Sequence, residues 1–239
     1  MEDNTLSLSS KLVFRTLLSI ACLLVMASIS GQLIKFIGGH PNFFGLVDLF
    51  DLDHEQNIPT FFSVILLLIC CLLLTLIFFQ HLKLDRKPNK YWAVLSIGFG
   101  YMSIDEFCSI HENFRRLSSL LLGNKSYPLF HYAWVLPGLL IVISVGLFFR
   151  KFLLSLPRTT KINFVIAGLI YITGILFLET LNGYYFALYK NAFGYQNLIY
   201  NTLVTIEESC EMLGLILFIR ALIDYLSTHF HEFSIQFHR

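Results

Sequence analysis

The chain has 239 residues, of which 56% are hydrophobic and only 14% are charged, whereas soluble domains carry about 25% charged residues. This composition excludes an ordinary soluble enzyme and predicts a protein that folds in lipid. The formal net charge of +1 gives no sign of a nucleic-acid partner.

Six apolar stretches follow one another along the chain and predict membrane-spanning helices. Each has roughly the 20 residues with which a helix crosses the hydrocarbon layer, and a helix satisfies its own backbone groups in lipid. The stretches cover residues 13–33, 60–79, 91–111, 129–149, 162–185 and 198–222. We therefore expect residues 1–239 to form a single transmembrane domain, an all-α polytopic bundle of about six helices.

Basic residues are distributed unevenly around these spans. Twelve of the 17 lysines and arginines lie near the chain ends or between spans two and three or four and five, and five lie on the opposite side. The positive-inside rule then predicts that both termini are cytoplasmic. The small residues at positions 27, 28, 30 and 31 also fit a signal-peptide cleavage site, and cleavage would leave five spans in the same orientation.

The connection over residues 34–59 is the longest on the outer side. Its apolar residues alternate with acidic ones, which favours a short segment lying on the membrane surface. The apolar residues are Phe43, Phe44, Leu46, Val47, Leu49 and Phe50, and the acidic ones are Asp48, Asp51, Asp53 and Glu55. Its DLDHE run lacks the ligand spacing and the central glycine of a calcium loop, so a solvated loop is the better interpretation. The five cysteines fall inside apolar stretches and are interpreted as apolar fillers, not as disulfides or zinc ligands.

Seven carboxylates and two histidines lie inside spans three to six or at their ends. A charged side chain at the centre of a membrane helix costs about 2.5–3.5 kcal/mol, so these carboxylates must take up protons or bind a metal ion. The residues are Asp105, Glu106, His111, Glu112, His131, Glu179, Glu207, Glu208 and Glu211.

Helical periodicity predicts that these groups meet. At 100° per residue, the three glutamates of span six lie within one arc, whereas His111 points about 120° away from Asp105. Glycines on the acidic faces, among them Gly98, Gly168 and Gly214, predict close helix packing. We expect one site that opens to the outside beneath residues 34–59, with Glu179 and Glu208 close together.

Carboxylates combined with imidazole suit iron, manganese or zinc. The chain has Glu208-x-x-Glu211 but no Glu-x-x-His of the di-iron bundle proteins, so a mononuclear or dizinc hydrolytic site fits about equally well. Glu208 and Asp105 are candidate catalytic acid or base groups. The candidate ligands of a divalent metal are Asp105, Glu106, Glu179, Glu207, Glu208, Glu211, His131 and His111, of which His111 could equally be structural.

Two stretches echo each other. SIDEFCS begins at Ser103 and TIEESCE begins at Thr205, with matching Ile, Glu and Cys. If this echo is a repeat, the chain consists of two inverted three-helix halves, as many transporters do.

Three functions are consistent with this pattern. The first is a metal-dependent membrane hydrolase or oxidoreductase acting on a lipid or another small apolar substrate. The alternative is a proton- or cation-coupled transporter that uses the same carboxylates, and the third is a structural or assembly subunit. The lipid bilayer is the expected partner in each case, and the sequence makes no prediction of the oligomeric state.

The stretches FDLDHEQNIPT, SIDEFCSIHE and TIEESCEMLG together resemble a pattern of uncharacterised bacterial multi-span membrane proteins. This resemblance covers most of the chain. It implies a location in the bacterial inner (plasma) membrane and no particular activity.

Overall fold

The computed structural model describes residues 9–40, 42–83, 90–111, 135–193 and 197–230, and the regular structure in these ranges is helical. A 3₁₀ turn covers Phe43–Gly45, and a π-helical segment, Thr173–Leu178, joins α6 to α7. The α-helices are α1 (Ser10–Phe36), α2 (Leu46–Phe50), α3 (Ile58–Lys83), α4 (Lys90–Cys108), α5 (Val135–Ser155), α6 (Arg158–Ile172), α7 (Glu179–Phe193) and α8 (Leu198–His229).

Local sequence accounts for several helix ends. Pro59 lies in the first turn of α3, where a missing N–H breaks no helical hydrogen bond. Pro157 precedes α6 in an extended conformation and separates it from α5. The side chain of Asn197 accepts a hydrogen bond of 2.9 Å from the N–H of Ile199 and thereby caps the start of α8.

Helix α8 lies at the centre of the described fold. It packs against α1, α3, α6, the π-helical segment and α7, whereas α4 packs mainly against α3. Leu215, Ile216, Ile219 and Leu222 of α8 are almost fully buried, so this helix contributes much of the core. The carboxylates of α8 are therefore positioned by the central helix of the described fold.

Two apolar clusters hold the helices together. One joins α1, α3 and α8, and it includes Leu66 and Cys70 of α3 with no exposed surface. The other surrounds Trp92 of α4, whose ring lies 4.9 Å from that of Phe152 on α5 and 5.0 Å from that of Tyr225 on α8. Burial of such aromatic rings contributes strongly to helix packing.

Within the described ranges, four helical stretches are long and apolar enough to cross a membrane: Ser10–Phe36, Ile58–Lys83, Pro137–Ser155 and Arg158–Tyr189, the last of which includes α6, the π-helical segment and most of α7. Their outward surfaces are apolar, as expected for contact with lipid; Leu140 and Leu147 of α5, for example, are 66% and 68% exposed. The prediction that the chain is a membrane protein is thus supported, whereas the predicted count of about six spans is not confirmed. Helices α4 and α8, which carry most of the candidate site, are outside the set of four.

The outer connection contains the short helix α2. Val47 is buried against Gly31 of α1, with its Cα 3.6 Å from where a Cβ on Gly31 would lie. Phe44 is 94% exposed and its neighbour Phe43 is also exposed. The segment is therefore fixed to α1 on one side and presents aromatic rings on the other, as an interfacial segment does.

Candidate functional site

The acidic residues of α4, α7 and α8 lie near one another. Glu208 interacts electrostatically with Glu106 of α4, with Glu179 of α7, with its neighbour Glu207 and with Glu55 of the outer connection. The glutamates on α8 are buried or partly buried, and so are Glu106 and Glu179. The structure thus brings six of the seven predicted carboxylates into one group together with Glu55, which we call the carboxylate cluster (Glu55, Asp105, Glu106, Glu179, Glu207, Glu208 and Glu211). The seventh, Glu112, lies outside the described residues.

A glycine in the π-helical segment sets the distance between this segment and α8. A Cβ on Gly174 would lie 2.6 Å from Cγ of Glu211 and 3.1 Å from the carbonyl oxygen of Glu207. Gly214 of α8 is equally confined, since its Cβ would lie 2.8 Å from Cβ of Tyr171. The prediction for Gly214 is confirmed, whereas Gly98 and Gly168 face open space and the prediction for them is wrong.

His111 turns back onto Asp105. The N–H of His111 donates to Oδ1 of Asp105 at 3.0 Å, and ring atom Nδ1 lies 3.1 Å from Oδ2. The predicted divergence of about 120° is wrong because α4 ends at Cys108 and Ser109 adopts a left-handed conformation with a φ of 50°. The left-handed conformation of Ser109 thus allows a His–Asp pair at the end of α4.

The outer connection supplies a further carboxylate. Oε1 of Glu55 lies 3.9 Å from Nε2 of His111, on the side of the ring opposite Asp105. Asn57 holds this connection in place, because its Nδ2 donates to the carbonyl of Asp51 at 2.5 Å and its Oδ1 accepts from the N–H of Thr60 at 3.1 Å. The connection therefore lies beside the cluster and contributes to it.

Asp53 of the same connection is bound to α8. The hydroxyl of Tyr200 donates to Oδ1 of Asp53 at 3.0 Å. Desolvation of the carboxyl group raises the pKa of Asp53 from 3.8 to about 6, although the residue as a whole is exposed, and the Tyr200 hydrogen bond offsets part of the shift. Asp53 also interacts electrostatically with Glu207, so it belongs to the electrostatic surroundings of the cluster.

Three residues in or beside the cluster were not predicted as part of the site. Asn182 is 1% exposed and donates from Nδ2 to Oε2 of Glu207. Its position three residues after Glu179, on the same helical face, could have indicated it. Glu55 was interpreted as part of a solvated loop. Tyr171, which interacts electrostatically with Glu211, carries no sequence signal of its role.

The predicted metal ligands are only partly described. His131 lies outside the described residues. In the ranges that are described, groups of three or more His, Cys, Asp or Glu side chains arranged to hold a metal ion are not found. The donors present are mainly carboxylate oxygens, which prefer hard cations, together with one imidazole at His111.

Comparison with known proteins gives a family. A family model described as a domain of unknown function (DUF8692) matches residues 17–226, which is most of the chain. Searches of curated proteins and of solved structures gave no match. The matched range includes the outer connection, α4, α7 and the acidic part of α8, so the chain belongs to the DUF8692 family.

Proposed function

We propose that the chain is a multi-pass membrane enzyme that uses a divalent metal ion, iron, manganese or zinc, to act on a lipid or another apolar substrate. The observation that carries this proposal is that the carboxylate cluster includes Asp105, whose carboxylate lies 3.1 Å from the ring nitrogen Nδ1 of His111. Carboxylates from α4, α7, α8 and the outer connection interact with one another in a largely enclosed setting.

The charge of the cluster supports a bound cation. Ionised carboxylates gathered in a low-dielectric bundle repel each other, and each one is costly to bury without a partner. A divalent cation compensates several of them at once. The proposed ligands come from Asp105, Glu106, Glu179, Glu207, Glu208, Glu211, His111 and His131.

The orientation of His111 also supports a metal. Hydrogen bonding of one ring nitrogen to a carboxylate is typical of metal-binding histidines, because it fixes the tautomer and directs the other nitrogen at the metal. In this chain Asp105 takes the carboxylate position, and Nε2 of His111 is directed towards Glu55. With a metal bound there, Asp105 would act as a positioning residue, and a carboxylate outside the ligand set, such as Glu208, would serve as general base towards a water that the metal activates.

The surface beside the cluster supports an apolar substrate. Ile104 and Phe107 flank Asp105 and Glu106 in the sequence and are 58% and 61% exposed. In a bilayer these side chains contact acyl chains. A lipid whose scissile or oxidised group reaches the polar face of α4 would therefore keep its tail in the membrane.

A proton-coupled transporter is the second candidate. It is favoured by the spacing of the described carboxylates, which interact electrostatically without forming a three-donor metal group in the described ranges. The echo between the stretches at Ser103 and Thr205 adds to it, because inverted halves are common among transporters.

Elemental analysis of the purified protein in detergent tests the enzyme proposal. We expect close to one or two equivalents of iron, manganese or zinc, and we expect Glu211→Gln to lose most of this metal while helical content is retained. Asp224→Asn is the matched control, because Asp224 lies on the same helix and pairs with Arg220. A metal-free wild type whose melting temperature does not rise with added metal would favour the transporter.

We further propose six crossings in a bacterial inner membrane, with α4 and α8 as the two additional spans and both termini in the cytoplasm. Helix α4 has 19 residues and α8 has 32, lengths of about 28 and 48 Å. Except for Asp224, which pairs with Arg220, the acidic residues of the two helices belong to the carboxylate cluster, and this arrangement keeps their charges from lipid. Labelling of a cysteine tag at either end by an impermeant reagent applied from the outside would contradict this topology.

A further inference from the structure

Polar side chains line the contact between α7 and α8. Glu179, Asn182 and Tyr185 recur every three residues on α7 and therefore lie within an arc of about 120° around the helix. Tyr185 accepts a hydrogen bond of 2.7 Å from Nδ2 of Asn197, and Asn182 donates to Glu207. We call this contact the α7–α8 seam, and it runs from the partly exposed Asn197 to the buried Glu207.

One hydrogen-bonding atom of the buried Asn182 amide has no partner among the described residues. Its carbonyl oxygen Oδ1 is buried and accepts no hydrogen bond from the described residues. An unpaired buried acceptor costs about 1–3 kcal/mol, so a donor is expected there. Glu207, the partner of Asn182, is itself an acceptor when ionised. Water, free or in the hydration shell of a cation, is the donor that suits this position.

The outer end of the seam is acidic. Asp53 is bound to Tyr200 near the start of α8, and it interacts electrostatically with Glu207. Glu179 also interacts with Glu207 from the α7 side. Acidic groups at both ends of a narrow polar contact attract cations and repel anions.

We propose that the α7–α8 seam is a hydrated access path for small cations from the outer face, with Oδ1 of Asn182 and the carboxylate of Glu207 as its inner binding site. The proposal rests on the proposed function only in naming the carboxylate cluster as the destination. Water-filled surroundings explain why Asn182 and Glu207, polar groups that are costly in lipid, occupy the interior of the bundle.

Cysteine accessibility tests the path in the full-length protein in membranes. Asn182→Cys is treated from the outside with impermeant cationic and anionic methanethiosulfonate reagents, and peptide mass spectrometry measures modification at position 182 separately from the five native cysteines. We expect modification about tenfold faster by the cationic reagent, because the acidic groups concentrate it. Adding Glu207→Gln should reduce that ratio.

Leu181→Cys is the matched control, since Leu181 is adjacent on α7 and 37% exposed on the apolar surface. A thiol facing lipid should react slowly with both reagents. Equal rates at positions 181 and 182, or equal rates with the two reagents, would overturn the proposal. If Asn182→Cys fails to fold, Tyr185→Cys, nearer the outer end, makes the same test. If position 182 reacts as expected but the purified protein contains no metal, the enzyme proposal is rejected and the proposed access path is retained.

Discussion

His111 Nδ1 lies 3.1 Å from Oδ2 of Asp105, and the main-chain N–H of His111 donates to Oδ1 of the same carboxylate at 3.0 Å. One aspartate thus fixes both the backbone at His111, just after α4, and the direction of the imidazole ring. Because Nε2 then faces Glu55 of the outer connection, Asp105 links helix α4 to the outer connection through a single histidine.

Replacing Asp105 by Asn should therefore weaken metal binding without unfolding the protein. Asn keeps the volume and one acceptor oxygen but loses the negative charge that orients His111, and loss of such an orienting carboxylate typically reduces metal affinity 10–100-fold. Isothermal titration of the metal-free protein with zinc or manganese measures the change. Asp48→Asn, in the same outer region but exposed, should leave affinity unchanged. If Asp105→Asn binds the metal with wild-type affinity, Asp105 does not contribute to the metal site.

The His–Asp pair at the end of α4 could not be predicted from the sequence. The carboxylates of α8 were predicted to share one arc, and their interaction in the structure depends only on a regular helix over Glu207 and Glu211. The His–Asp pair instead depends on a left-handed residue at Ser109. Such a conformation usually indicates glycine or asparagine, so SIDEFCSIHE gave no sign that the helix ends there.

The π-helical segment likewise limited the prediction of which helical face carries Glu179. An ideal helix at 100° per residue was assumed through Glu179, but Thr173–Leu178 is wound more loosely just before it. That segment shifts the face on which Glu179 and Asn182 lie, and π-helical turns often occur at functional sites. Glu55 was missed for a different reason, because only the packing of the outer connection brings it to His111.

Gly174→Ala should destabilise the protein. The added Cβ would lie 2.6 Å from Cγ of Glu211 and 3.1 Å from the backbone oxygen of Glu207, so α8 and the π-helical segment would have to separate. Overpacking of this kind costs about 1–3 kcal/mol. Thermal unfolding in detergent should show a lower melting temperature.

Gly168→Ala provides the matched control for that substitution. Gly168 lies on α6 with nothing within 4 Å of an added Cβ, and alanine is the better helix former by about 1 kcal/mol. We expect an unchanged or slightly raised melting temperature. Equal destabilisation by both substitutions would mean that close packing at Gly174 is not what sets the distance to α8.

Asn57→Ala should loosen the outer connection. The substitution removes the hydrogen bonds from Nδ2 to the carbonyls of Asp48 and Asp51 and the cap on the N–H of Thr60. Loss of a capping side chain alone costs about 0.5–2 kcal/mol. Hydrogen exchange should increase over residues 48–60. Asn42→Ala is the control, because Asn42 begins the 3₁₀ turn without a side-chain hydrogen bond, and it should change little.

The pH dependence of stability should contain a contribution from Asp53. Its pKa of about 6 in the folded protein exceeds the ordinary value of 3.8, because desolvation of the carboxyl group outweighs the Tyr200 hydrogen bond. The folded state therefore binds the Asp53 proton more tightly than the unfolded state does. This stabilisation is fully present below about pH 3.8 and is lost as the pH rises through about 6.

Melting temperatures of the wild type and Asp53→Asn between pH 4 and pH 7 measure this contribution. Because Asn does not ionise, the wild type should lose stability relative to Asp53→Asn as the pH rises across this range. Tyr200→Phe removes the hydrogen bond that favours the ionised form of Asp53. The loss of stability should therefore occur at a higher pH in Tyr200→Phe than in the wild type. A constant difference between wild type and Asp53→Asn at every pH would show that the Asp53 carboxyl group is not desolvated in the folded protein.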